Sequence, residues 1–399
     1  MQEKPERMIR MSPEHILLSL LRAAVCGEAA AEMESACTPE MLAQVFFLAE
    51  KHDLAHLAGH GLENLALPPC ATLEKFQKAK MQAIFRYMKL DHALGQICGC
   101  FEEAGIPFVP LKGAFLRSLY PEPWMRTSCD VDVLVYETDL DRAVAALQAL
   151  GWRVEGRKNY HDISLYSPGG VHLELHFNIR ENMESIDRVL DQVWAHSAPV
   201  AEGLMEHRQS GEFLLYHLVA HMSYHFLGGG CGIRSVLDIW LLRKHLRYDE
   251  TVLRQLCRAG ELEIFYDAVA DLAAVWFESC GHTSVTARME QVILSGGTYG
   301  SIDGSAAFKQ VRAGGKWKHL LRRIVMPYAS MVIRYPLLKK HKWLTPVFQV
   351  VRWVQTLFGG RMGRVAHELK VNRASNAEDF SQAEELMHQL GLCPSEKRM

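Results

Sequence analysis

Residues 171–179 alternate without a break: Val171, Leu173, Leu175, Phe177 and Ile179 fall on one side, His172, Glu174, His176 and Asn178 on the other. This period of two predicts a half-buried strand whose second face carries chemistry. Pro168-Gly169-Gly170 just before it is a tight-turn sequence, so residues 162–166 read as the first arm of a hairpin. A second alternation runs through Asp130-Val131-Asp132-Val133-Leu134-Val135, preceded by the short apolar run Pro107-Phe108-Val109-Pro110-Leu111. On either side of these strands the signals are those of helices. Ser12-Pro13-Glu14 and Thr38-Pro39-Glu40 each set a capping side chain before a proline at the first helical position. Residues 72–104 predict one or two longer helices, and Thr138-Asp139-Leu140-Asp141 opens another that Gly151 stops. Apolar stretches at 213–219 and 233–242 predict helices beyond the sheet. The fold class is therefore α+β, a small mixed sheet flanked by helical regions. The segments are 1–104 (N-terminal helical region), 105–200 (sheet core), 201–300 (helical domain) and 301–399 (basic amphipathic tail).

Chemistry concentrates on the sheet. Asp130 and Asp132 project from one face of their strand, Val131, Val133 and Val135 from the other. Two carboxylates whose Cα atoms are roughly 6.6 Å apart repel by about 2.5 kcal/mol at an effective dielectric near 20. A divalent cation is the natural counter-charge, because hard ions take carboxylate oxygen. Lys112-Gly113 follows the run 107–111 and precedes Ala114-Phe115-Leu116-Arg117, read as a helix start. A glycine turn ahead of a helix lets backbone N–H groups approach phosphate, with Lys112 adding charge. Arg126 then leads into the aspartate strand. If the hairpin lies beside that strand, Glu174 completes a triad of carboxylates. His176, on the same face, reads as a base or ligand at the nucleotide, with a structural hydrogen-bond role as the alternative.

Leu111-Lys112-Gly113, Tyr120-Pro121, Arg126, Asp130-Val131-Asp132-Val133-Leu134-Val135, Leu150-Gly151-Trp152 and Glu174-Leu175-His176 together resemble the DNA-polymerase-β-like nucleotidyltransferase superfamily, and within it the bacterial "uncharacterised nucleotidyltransferase" group. The resemblance implies a polymerase-β-like core and transfer of a nucleoside monophosphate from an NTP, taken as ATP, to an unknown hydroxyl acceptor, small molecule or protein. It also implies two Mg2+ ions on Asp130, Asp132 and Glu174, with Lys112, Gly113, Arg126 and His176 at the nucleotide. Lys112-Gly113-Ala114 departs from the commoner Gly-Gly or Gly-Ser turn, and Glu174 from the more usual aspartate.

Composition adds bounds. The 399 residues exceed one simple core, and a net charge of −2 points to no nucleic-acid partner globally. Ten scattered cysteines without CxxC spacing read as reduced thiols. With neither a signal-peptide pattern nor a long apolar run, the expected location is the cytoplasm. His217, His221 and His225 recur every four residues; a polar stripe is preferred over zinc, which would need further ligands. Arg234 and Asp238 read as a helix-surface ion pair. Residues 309–373 hold fifteen Lys or Arg against Glu368 alone, interleaved with aromatic residues. Such a segment suits an anionic membrane surface or nucleic acid, or else an outer helical layer with a basic face. A second reading of the whole chain follows: a catalytically degenerate nucleotide-binding scaffold whose tail binds a membrane or nucleic acid.

Overall fold

In the computed structural model, the described residues are 11–27, 31–156, 158–298, 308, 311, 325–328, 331–332, 335–358 and 377–393. They fall into two compact units. The first takes the chain up to Leu218 together with Ile233–Gly260 and Val269–His282, and the second takes Val219–Gly232, Glu261–Ala268 and the residues from Thr283 onward.

The first unit opens with α1 (Pro13–Cys26), α2 (Pro39–Lys51), α3 (Ala55–Leu62) and α4 (Ala71–Glu103). Both expected caps are present: the Ser12 hydroxyl accepts from His15 N at 3.2 Å, and that of Thr38 from Met41 N at 3.3 Å. β1 (Phe108–Pro110), the one-turn helix α5 (Gly113–Leu116), β2 (Asp130–Val135), α6 (Leu140–Ala149), β3 (Arg153–Val154), β4 (Asp162–Tyr166) and β5 (His172–His176) follow. The five strands form one mixed sheet in the order β1-β2-β5-β4-β3. β2 runs parallel to β5 and antiparallel to β1, while β4 and β5 form the expected antiparallel hairpin, with Gly170 at φ +76° in its turn. A left-handed φ suits glycine because it has no Cβ to clash. α7 (Glu184–Leu190) and the small hairpin β6 (Ser197–Pro199) and β7 (His207–Gln209) lead to the long helix α8 (Gly211–Gly229), then α9 (Ile233–His245), α10 (Glu250–Ala259) and α11 (Glu263–Glu278).

Alternation decides which face of the sheet is buried. Val131, Val133 and Val135 of β2 and Leu173 and Leu175 of β5 pack with Leu90, Ile97 and Phe101 of α4 and Leu140 and Leu147 of α6 into one core. The polar positions of the same strands are thereby left on the opposite face. α6 begins without a side-chain cap: the Asp139 carboxylate accepts from Arg142 instead of from the helix's own N–H groups.

Within the second unit lie α12 (Ser284–Ser295), α13 (Thr345–Phe358) and α14 (Ala377–Gln389). Arg288 of α12 donates to Glu385 of α14 at 2.8 Å. Most of the basic residues between 309 and 373 lie outside the described residues. No helix among the described residues is long and apolar enough to cross a membrane.

One buried group in the first unit sets a pH limit on stability. His56 of α3 is 3 % exposed and donates Nε2–H to the Met125 carbonyl at 2.8 Å. Burial lowers its pKa to about 4, with the Met125 bond pulling weakly the other way. A depressed folded-state pKa favours the folded state fully above pH 6.5, and the advantage is lost as pH falls from 6.5 to 4. This site should therefore remove on the order of 3 kcal/mol of stability over that range. Urea denaturation at pH 7 and pH 4.5 checks it: the loss in wild type should exceed that in His56→Gln by most of this amount, and equal losses would refute the assignment.

Candidate active site

The parallel register of β2 and β5 sets Asp130 opposite His172 and Asp132 opposite Glu174. Two groups of three ligand atoms result, each mutually within 4.8 Å: Asp130, His172 and Glu174, and Asp132, Glu174 and His176. They are the two groups of this size that could converge on a metal ion among the described residues. The His217, His221, His225 stripe is not among them; His221 Nε2 instead lies 3.1 Å from His225 Nε2.

Electrostatics follow from this crowding. The Asp130 carboxyl is pushed up to about 6, first by burial and then by the negative charges of Asp132 and Glu174. His176, 9 % exposed, places Nε2 3.1 Å from Asp132 Oδ1 and 3.5 Å from Glu174 Oε2. Burial lowers its pKa, but the two hydrogen-bonded carboxylates outweigh that and carry it to about 9. Glu174 is correspondingly held below its ordinary range, chiefly by the hydrogen bond from His176. His176 thus sits as an imidazolium between two carboxylates, and its ring stacks on His161 with centroids 5.3 Å apart.

The other predicted residues gather on one side of this face. A Cβ added at Gly113 would stand 3.2 Å from Arg126 Nη1 and 3.8 Å from Arg117 Nη2, so two guanidinium groups flank the glycine. Lys112 is half-buried; burial lowers its pKa, and Glu181, Asp132 and Glu174 are the charges that oppose this. α5 is a single turn before the chain tightens to a 3-10 turn at Arg117–Leu119, too short for a helix dipole to build up. Positive charge here comes from side chains instead.

Arg126 is held from a distance. Its Nε and Nη2 donate to the Asp238 carboxylate of α9 at 3.0–3.3 Å, and Tyr120 donates its hydroxyl to Asp238 Oδ1 at 2.8 Å. This leaves Nη1 aimed at Gly113. The expected Arg234–Asp238 surface pair is overturned: Asp238 is buried on Arg126, and Arg234 pairs with Asp53 at 3.4 Å and donates to Thr127. Asp238 gains the Arg126 guanidinium and the buried Tyr120 hydroxyl, and Arg234 the buried Thr127 beside a part-exposed Asp53, which outweighs an exposed pair one helical turn away.

Three residues here were not singled out from sequence. Arg117, 5 % exposed, donates to Ser128 Oγ at 2.6 Å, and Ser128 donates to the Asp130 carbonyl at 2.9 Å, tying the cationic side to the start of β2. Burial, then the neighbouring Arg126, lowers its pKa to about 10. Its spacing of four from Gly113 was the available signal. Glu181 is buried beyond β5 with no pattern to mark it. His172 was visible as a polar-face residue, but only the strand register brings it to Asp130.

Acidic and imidazole groups in register, beside buried guanidinium groups flanking a glycine, form a face able to hold a divalent cation next to a polyanion. That is the equipment of the nucleotidyltransferase class. The chain belongs to the uncharacterised nucleotidyltransferase family, whose sequence profile matches residues 42–278. The match runs from α2 to the end of α11 and so takes in the whole sheet. No curated protein and no solved structure matches the chain.

Proposed function

We propose that the chain transfers a nucleoside monophosphate from an NTP, ATP in the first instance, to a hydroxyl acceptor, on a polymerase-β-like core. The observation that carries this reading is the in-register pairing of Asp132 with Glu174, which brings a third carboxylate to the aspartate pair. Asp130, Asp132 and Glu174 would hold two Mg2+ ions, and the donor set suits them: oxygen-rich, crowded, and with Asp130 held near 6 by burial and by the charges of Asp132 and Glu174. Held there, divalent ions would neutralise polyphosphate charge and lower the pKa of an acceptor hydroxyl.

The remaining residues position and neutralise. Gly113 leaves room for phosphate to approach the backbone, and Lys112, Arg117 and Arg126 Nη1 supply charge on the side where pyrophosphate would leave. The acceptor hydroxyl gives up its proton to solvent, and its oxygen forms a bond to the α-phosphorus as the bond to pyrophosphate breaks, an in-line displacement in which positioning and charge do most of the work. His176 keeps Asp132 and Glu174 together on their face.

The test is incubation of the protein with each α-labelled NTP and Mg2+ in a cell lysate, scoring labelled product and pyrophosphate together. Release of pyrophosphate with label on a defined acceptor is expected. Nucleotide binding without either product would replace this reading with the non-catalytic scaffold.

A further inference from the structure

α13 is built inside out. Its Gln349 and Arg352 are buried, 7 % and 9 % exposed, whereas Val347, Val350 and Val354 are 54 %, 52 % and 47 % exposed and Trp343, just before the helix, is 75 % exposed. Positions 343, 347, 350, 351 and 354 follow a spacing of four, three, one and three, a single helical stripe, with Trp353 exposed at its flank. The polar face is fixed inward by its own bonds: Gln349 Nε2 donates to the Met326 carbonyl at 2.6 Å, and Arg352 Nε donates to Gln349 Oε1 at 3.2 Å. A helix packed only against its own fold would reverse these faces.

The surroundings say what the apolar stripe meets. Lys340 and Lys342 are exposed beside Trp343, and Lys342 Nζ also lies 4.9 Å from the centroid of the Tyr328 ring. Residues 325–358 contain no Asp or Glu, and the wider stretch 309–373 carries fifteen Lys or Arg against one acidic residue. An apolar face with tryptophans and a lysine rim is the pattern of a helix lying in the headgroup region of an anionic bilayer, its apolar side submerged and its cations at lipid phosphate. Nucleic acid would use the lysines and rings but would leave four valines in water.

We infer that the 342–354 segment docks this protein on an anionic lipid surface, lying in the interface without spanning it. The inference stands apart from the transfer reading. The test uses the full chain with phosphatidylcholine vesicles with and without phosphatidylserine, scored by flotation and by a blue shift of tryptophan emission. Wild type should float with the anionic vesicles and much less with the neutral ones. Val350→Asp, Val354→Asp, both exposed, should weaken binding by about tenfold or more, and Lys340→Glu, Lys342→Glu by about tenfold at low salt, less at high salt. Unchanged thermal unfolding shows that the variants are folded. Failure of wild type to float, full binding by the valine variant, or concentration-dependent self-association abolished by the valine substitutions would each overturn the inference. So would retention on nucleic acid in place of vesicles.

Discussion

Asp130→Asn and Asp132→Asn should both reduce nucleotidyl transfer by about a thousandfold or more, yet move thermal stability in opposite directions. The activity loss follows from removing a carboxylate that holds the divalent ions, worth several kcal/mol of transition-state stabilisation. The stability effects part because the two aspartates have different neighbours. Asp130 carries a folded-state pKa raised to about 6 from 3.8. A raised carboxyl pKa favours folding below pH 3.8, and that advantage is gone once pH has risen through 6; at pH 8 the ionised group therefore opposes folding by about 3 kcal/mol at most. An amide removes this repulsion, and a gain of 1–3 kcal/mol corresponds to a rise of several degrees in Tm. Asp132 instead accepts from His176 at 3.1 Å, and losing it strands a buried imidazolium with Glu174 alone. Calorimetry in EDTA at pH 8 should show Asp130→Asn melting above wild type and Asp132→Asn below it. Equal shifts of one sign, or retained transfer by either variant, would refute the assignment.

Asp238→Ala should be the most damaging single change to stability at the site, costing about 3–5 kcal/mol, the usual loss when one partner of a buried ion pair is removed. Three donor contacts from Arg126 and one from Tyr120 end on that carboxylate. Without it Arg126 is left beside Arg117 with no paired carboxylate, only the smaller attraction of Asp132 to offset its charge. Urea denaturation measures the loss, and a second substitution identifies its cause: Arg126→Gln added to Asp238→Ala should restore part of the stability, because the stranded charge is gone. A loss below about 1 kcal/mol, or no recovery in the double variant, would show that the pair is not what fixes Arg126. Transfer activity should fall in Asp238→Ala as well, since Arg126 Nη1 would no longer be aimed at Gly113.

Much of this was legible in local sequence because the signals concerned are local. The Ser12 and Thr38 caps, the Pro168-Gly169-Gly170 turn and the alternation of 130–135 and 171–179 each act within a few residues, and elements form at all of them. What was not legible depends on long-range partners. The parallel pairing of β2 with β5 joins residues more than forty positions apart, and it alone turns Glu174 and His172 into neighbours of the aspartates. Arg126 and Asp238 are 112 residues apart, so no spacing rule could pair them; the i, i+4 rule paired Asp238 with the wrong arginine. α3 and the β6–β7 hairpin are too short for periodicity to show, and α5 ends after one turn despite a helical sequence.

The raised pKa of Asp130 also bears on how such a chain would change over generations. Most substitutions destabilise, so the rare one that stabilises is readily kept by a lineage no longer selected for activity. A single base change to asparagine at position 130 would be such a step. A descendant serving only as a scaffold would shed this carboxylate early and fold better for it.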